Sequence, residues 1–167
     1  MTVAQWDAIH DTKLRGAFLA IRETIPVMQR NGGGSIVAVS TMGSLHPVLR
    51  GNAAYGSSKA GLNALIRAIA LDHAPDSIRA NAVLCGAVPV GAPPSDTQSL
   101  GGPATQAGRL MLGMGTAEEA AAAILYLASA AARPISGQTV TLDGGFLIFL
   151  RKALLALVHT FKSAICL

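Results

Sequence analysis

At 167 residues, 51% of them hydrophobic and only 13% charged, the chain can bury one sizeable core and is too apolar to be disordered. Its formal charge of +4 comes from 13 basic residues scattered along the sequence, with no basic stripe interleaved with aromatics, which argues against nucleic-acid binding. The two cysteines, Cys85 and Cys166, lie far apart and share no metal-ligand spacing with histidines, so no metal site and a reducing, cytoplasmic setting are expected.

The first residues carry no charged-then-apolar signal pattern, and no run of roughly 18 uncharged apolar residues predicts a spanning helix. Residues 6–30 read as a helix, because Leu14, Phe18, Ile21 and Ile25 form one apolar stripe. Asn31-Gly32-Gly33-Gly34 stops it. Residues 35–40 are short, apolar and flanked by breakers, which predicts a buried strand. A loop over 41–52 follows, containing Gly43, Pro47 and Gly51.

A second helix is expected over 53–74, with Leu62, Leu65, Ile66 and Ile69 on its buried face and Pro75 ending it. Residues 78–85 read as a second strand. The Gly-, Pro-, Ser- and Ala-rich stretch 86–115 is unusually long for a connection and suits a lid or binding segment. Thr116-Ala117-Glu118-Glu119 is a capping box that opens a third helix, to about residue 129. Residues 138–143 form a third strand, ended by Gly144-Gly145. Strand–helix–strand crossovers of this length imply parallel strands, so the fold class is α/β with a parallel sheet and no internal repeat.

Tyr55 and Lys59 stand four residues apart at the start of the second helix, which puts them on one face, one turn apart. A phenol with a pKa of about 10 is a poor base at neutral pH. A nearby ammonium favours the phenolate and lowers that value. The pair can then serve as a general acid/base on an alcohol or ketone.

The context of this pair is similar to that of the short-chain dehydrogenase/reductase family. The matching stretches are Gly33-Gly34-Ser35-Ile36-Val37, Tyr55-Gly56-Ser57-Ser58-Lys59-Ala60, Ile78-Arg79-Ala80-Asn81-Ala82-Val83, and Gly137 through Asp143-Gly144-Gly145, in the family's order and spacing. The resemblance implies a partial Rossmann-like, doubly wound parallel sheet, with three carboxyl-terminal strands and their flanking helices. Residues 1–145 would be the catalytic part, and 146–167 an extra tail. It implies hydride transfer between NAD or NADP and a carbonyl or alcohol substrate. Tyr55 would be the acid/base, Lys59 its partner, and Thr41 or Ser40 the hydroxyl that holds the substrate oxygen. Lys59, Tyr55, Gly86 and Val88 would touch the cofactor. Homo-oligomers would form through the helices at 6–30 and 53–74.

The chain also departs from the family pattern. The glycine-rich turn that cradles a pyrophosphate after a first strand has no counterpart; Gly32-Gly33-Gly34 precedes a strand instead. An Asn-Asn-Ala-Gly segment is missing. Lys13 stands where the family has an asparagine, and lysine cannot accept a hydrogen bond. The family's hydroxyl spacing falls on Met42. A loop one residue longer puts Thr41 there, and one two residues longer puts Ser40; Thr41 is preferred because the family's strand-end Ser-Ser doublet aligns with Ser40-Thr41. Cys85-Gly86 replaces the family's Pro-Gly, and Val90 its threonine. The alternative expectation is a truncated, non-catalytic unit or interaction partner that cannot bind cofactor by itself, with a sheet edge left bare beside 35–40.

Other residues have plainer readings. Trp6 is a packing anchor. His10, His46, His73 and His159 share no metal spacing and read as surface residues, with His46 on the loop beside the proposed site. Asn81 and Asp143 hold loops together, and Cys85 is a small buried strand residue. In the tail, Leu150, Leu154, Leu157, Phe161 and Ile165 form an apolar helical stripe opposite Arg151, Lys152 and Lys162. The expectation is a helix docked on the protein; contact with a membrane surface and an accidental sequence following a disrupted reading frame are the alternatives.

Overall fold

The computed structural model describes residues 1–88 and 112–148. The expected tail helix, Val90 and most of the long glycine-rich stretch lie outside the described residues. Three helical and strand pairs alternate along the chain, and the sheet has the order β1-β2-β3 with parallel pairing throughout. The strands are β1 (Gly34–Thr41), β2 (Ile78–Cys85) and β3 (Thr139–Leu142).

The first helical region differs from the expected single helix over 6–30. Helix α1 (Val3–His10) starts three residues earlier, because Thr2 and Gln5 form a capping box. That Thr-x-x-Gln spacing is a legible start signal which the apolar stripe, beginning only at Leu14, conceals. A π-turn over Asp11–Arg15 widens the helix before α2 (Gly16–Arg30) continues it. Pro26 sits inside α2, where it removes one backbone donor. Burial of Ile21 and Ile25 in the turns before it outweighs the loss.

Helix α3 spans Ala53–Asp72 and so stops two residues before the expected end. Asp76, hydrogen-bonded to His73 Nδ1 at 2.9 Å and to Gln29 Nε2 at 2.7 Å, organises the turn ahead of Pro75's influence and ties it to α2. Helix α4 (Ala117–Ala128) opens on the expected Thr116/Glu119 capping box.

One apolar layer joins α2 and α3 to the sheet through Ile21, Ile25, Leu62, Ile66, Ile78 and Leu84. On the opposite face Leu127 of α4 and Ala132 pack on Val83. Strand β2 is therefore covered on both sides, as its near-continuous apolar sequence requires. Gly33 joins α2 to β1 at φ 132°, and a Cβ there would lie 2.6 Å from the Ser77 carbonyl oxygen, so only glycine fits.

Among the described residues, strand β1 is an edge. The Gly34 N–H donates to the Ser77 carbonyl on the β2 side, and alternate residues of a strand address the same neighbour. Residues 34, 36, 38 and 40 thus face β2, while 35, 37, 39 and 41 turn their backbone groups to the open side. Among the described residues no strand pairs with that side. Among the described residues no helix is long and apolar enough to cross a membrane.

Candidate active site

Tyr55, Lys59, Thr41 and Cys85 converge at the carboxyl ends of β1 and β2. Thr41 and Cys85 end the two strands as direct register partners. Tyr55 and Lys59 come from the first two turns of α3, whose lower face packs on the sheet through Leu62 and Ile66. The Lys59 Nζ lies 5.9 Å from the centre of the Tyr55 ring, and it donates to the Val39 carbonyl at 2.8 Å. Val39 is one of the residues facing the open edge, so the ammonium is engaged on the sheet and not on the phenol oxygen.

The electrostatics differ from the sequence expectation. Tyr55 is held above the usual phenol value by burial, with Cys85 adding to the rise. The expected lowering by Lys59 does not occur, because the ammonium is turned to Val39. Lys59 is itself pushed below the usual amine value, first by burial and then by the charge of Lys13 on the π-turn, with Cys85 acting the other way. Burial raises the Cys85 thiol, and Lys59 opposes that rise. The pair as it stands is a protonated phenol beside a partly desolvated ammonium.

The two candidate hydroxyls occupy different environments. Ser40 is 4% exposed and its Oγ reaches back to the Lys59 carbonyl at 3.4 Å. Thr41 is less buried, and its Oγ1 accepts the Gly43 N–H at 3.2 Å, capping a 3-10 turn over Met42–Ser44. Met42, which the family spacing would place at the hydroxyl, is buried with Val48 and Phe146.

Gly86 follows β2, where a Cβ would sit 2.7 Å from the Asp143 Cα. Val88 lines a cavity of about 280 Å³ with Met114, Glu119 and Leu142 at the carboxyl ends of β2 and β3. A larger cavity of about 390 Å³ lies between the 43–53 loop and Gly56, Ser57 and Ala60 of α3; His46 lines it, whereas Tyr55 and Lys59 do not. Asn81 and Asp143 hold loops, as expected: Asn81 bonds the Ile135 carbonyl and the Gln138 N–H, and Asp143 accepts the N–H groups of Gly145 and Leu147.

Two histidines are not the plain surface residues the sequence suggests. His73 pairs with Asp76. His10 stacks on Trp6 at 4.2 Å and bonds Ser57 Oγ at 3.2 Å, which clips α1 to α3 two residues after Tyr55. Cys85 and Asn63 also bear on the site without having been assigned to it from sequence, and Lys13, which stands where the family has an asparagine, acts on Lys59 by its charge. For Asn63 a signal exists: Tyr55, Lys59 and Asn63 step by four along one helix. For Cys85 and Lys13 the proximity is tertiary.

A family model described as enoyl-(acyl carrier protein) reductase matches residues 1–147. The 3-oxoacyl-(acyl-carrier-protein) reductase FabG of Thermotoga maritima is 33% identical over 149 residues, covering 89% of this chain and 59% of that protein. Cyclopentanol dehydrogenase of Comamonas sp. is 35% identical over 148 residues, covering 85% of this chain and 57% of its own length. Among solved structures, acetoin dehydrogenase from Enterobacter cloacae superposes with a TM-score of 0.76 at 28% identity, over 89% of this chain and 58% of that one. The chain thus spans 57% to 59% of the length of these relatives.

Proposed function

The chain belongs to the short-chain dehydrogenase/reductase family, and from that premise we propose that it carries the proton-transfer part of an NAD(P)-linked oxidoreductase site acting on a small carbonyl or alcohol. The observation that carries this reading is the convergence of Tyr55, Lys59 and Thr41 at the carboxyl end of a parallel sheet, where α/β folds bind their ligands. The relatives' names cover an acyl-carrier-protein ketone, cyclopentanol and acetoin. The reading therefore stays at the class of carbonyl or alcohol.

In the reducing direction Tyr55 donates its proton to the substrate oxygen, and burial keeps that proton in place at neutral pH. Thr41 orients the same oxygen. What favours it over Ser40 is the Ser40 side chain's burial against α3. Lys59 stabilises the phenolate left behind, once its ammonium leaves Val39.

The residues present suit only the nicotinamide-ribose end of a dinucleotide. The half-buried Lys59 ammonium, 5.9 Å from the Tyr55 ring centre, is a fitting donor for ribose hydroxyls; the family resemblance adds Gly86 and Val88 as further contacts. Among the described residues, the positive-φ glycines Gly32 and Gly33 precede β1, so they make no pyrophosphate cradle of the kind that follows a strand. When bound, the nicotinamide supplies or receives the hydride.

Assembly through α1, α2 and α3 belongs to the same proposal, supported by the exposed apolar side chains of Trp6, Phe18 and Leu19, as does a cytoplasmic setting. Residues 1–145 are then the catalytic part and 146–167 an appended tail. The contact of Lys59 with Val39 favours a second reading for the chain alone, a unit that does not bind cofactor by itself.

Two measurements test these readings. Reduced cofactor titrated into the chain alone should bind no better than about millimolar; micromolar binding would reject the second reading. Joined to the amino-terminal part of a relative, the chain should reduce ketones. Tyr55→Phe should then lower turnover by about 10²–10⁴-fold with cofactor binding kept; unchanged turnover would reject Tyr55 as the acid.

A further inference from the structure

Asn63 is a buried polar residue that the proposed chemistry does not use. It is 3% exposed and lies on α3 two turns beyond Tyr55. A buried amide is unfavourable unless its polar atoms are bonded. Its Nδ2 donates to Ser44 Oγ at 2.8 Å. Ser44 Oγ donates to the Thr41 carbonyl at 2.6 Å, and the Gly43 N–H donates to Thr41 Oγ1 at 3.2 Å.

Counting protons sets the direction of every bond in this relay. The Thr41 carbonyl can only accept, and a serine hydroxyl has one proton to give. Ser44 must spend that proton on Thr41, so its oxygen is an acceptor toward Asn63. Only the NH₂ side of the amide can meet it. Asn63 Oδ1 is then left buried with no partner among the described residues. An apolar side chain at this position would leave no orphaned oxygen, so what sets asparagine apart here is the bond it gives to Ser44.

The relay ends on the turn that carries Thr41. Thr41 Oγ1 accepts the Gly43 N–H and donates to no group among the described residues, so the threonine proton is not consumed inside the turn. Met42 anchors the same turn in the cluster with Val48 and Phe146. The Gly43 carbonyl oxygen lies only 3.2 Å from where a Cβ on Gly56 would stand, so the turn rests on α3 next to Tyr55. We propose that Asn63 is a positioning residue: through Ser44 it locks the Thr41–Ser44 turn to α3, so that the Thr41 hydroxyl is held at a set place relative to Tyr55 with its proton free for a substrate oxygen. The functional half of this statement rests on the role proposed above for Thr41; the relay itself does not.

The test uses the full chain, labelled with ¹⁵N, and reads the Gly43 amide proton by its chemical shift and exchange rate beside the overall unfolding midpoint. Asn63→Asp keeps the shape but puts an acceptor against Ser44, which draws the serine proton away from Thr41. Asn63→Leu removes the support and leaves the Ser44–Thr41 bond. Ser44→Ala removes both bonds and carries the test if the aspartate variant does not fold. Asn63→Asp and Ser44→Ala should each speed Gly43 exchange by about tenfold beyond any change in overall stability, with Asn63→Leu in between. If Gly43 follows only the overall midpoint in all three, the relay is refuted. In the joined, active form, Asn63→Leu should lower kcat by about tenfold with the cofactor KM unchanged. A silent Thr41→Val there, with the Gly43 signature intact, would refute the role of Thr41 and not the relay.

Discussion

Lys59 Nζ donates to the Val39 carbonyl at 2.8 Å across the open edge of β1. The side chain that the proposed chemistry needs beside Tyr55 is thus occupied on the sheet, where a lysine also discourages a second strand from pairing. A strand arriving on β1 would offer an N–H to that same carbonyl and compete with the lysine for it. Lys59→Met should therefore raise self-association of the chain at a given concentration. Light scattering against time checks this, and equal scattering by the two proteins would show that the lysine does not guard the edge.

Tyr55 holds its proton above the usual phenol range because of burial and, second, Cys85. A group whose folded pKa is raised stabilises the native state below its unfolded value and loses that contribution as pH climbs through the folded value. For Tyr55 the loss begins above pH 10.0. Lys59, with a depressed value, contributes in the opposite sense: its stabilisation is present above 10.5 and lost as pH falls through the folded value. Subtracting Tyr55→Phe from wild type isolates the tyrosine. The variant's urea midpoint should fall less steeply in the alkaline range, and parallel curves would contradict the raised value.

The clip between His10 and Ser57 fixes α1 to α3. Ser57 Oγ also lies 3.1 Å from the Ala54 carbonyl, so its one proton is shared between that carbonyl and the ring nitrogen. Ser57→Ala should cost about 0.5–1.5 kcal/mol, measured by denaturation. Trp6 is the chain's one tryptophan and stacks on His10, so its emission should change in His10→Ala. An unchanged spectrum would mean that the stack does not persist in solution.

Gly86 separates packing from cofactor contact. A Cβ at this position meets Asp143 backbone at 2.7 Å. Gly86→Ala should cost about 1–3 kcal/mol in the absence of any cofactor. Wild-type stability joined to weakened cofactor binding in the joined protein would instead assign the glycine to the cofactor alone.

Patterns of local sequence carried most of the architecture. The breakers at 31–34, the apolar run 78–85 and the Thr116 capping box are short-range signals, and β2 and α4 appear where those signals place them. The spacing of Tyr55 and Lys59 put them on one helical face, because that follows from helix geometry alone. The π-turn at Asp11–Arg15 had no such signal; it lies where Leu14 packs on Gly61 of α3, next to the His10–Ser57 bond.

What the sequence determined by itself was the order of elements, the parallel sheet and the placing of Tyr55 and Lys59 on one helical face. What only the tertiary structure decided was where each proton and charge goes. Lys59 turns to Val39 because β1 is an edge, Tyr55 keeps its proton because it is buried, and Asn63 meets Ser44 across 19 residues. Periodicity is a property of neighbours along the chain, whereas desolvation and hydrogen-bond partners are set by groups that only folding brings together.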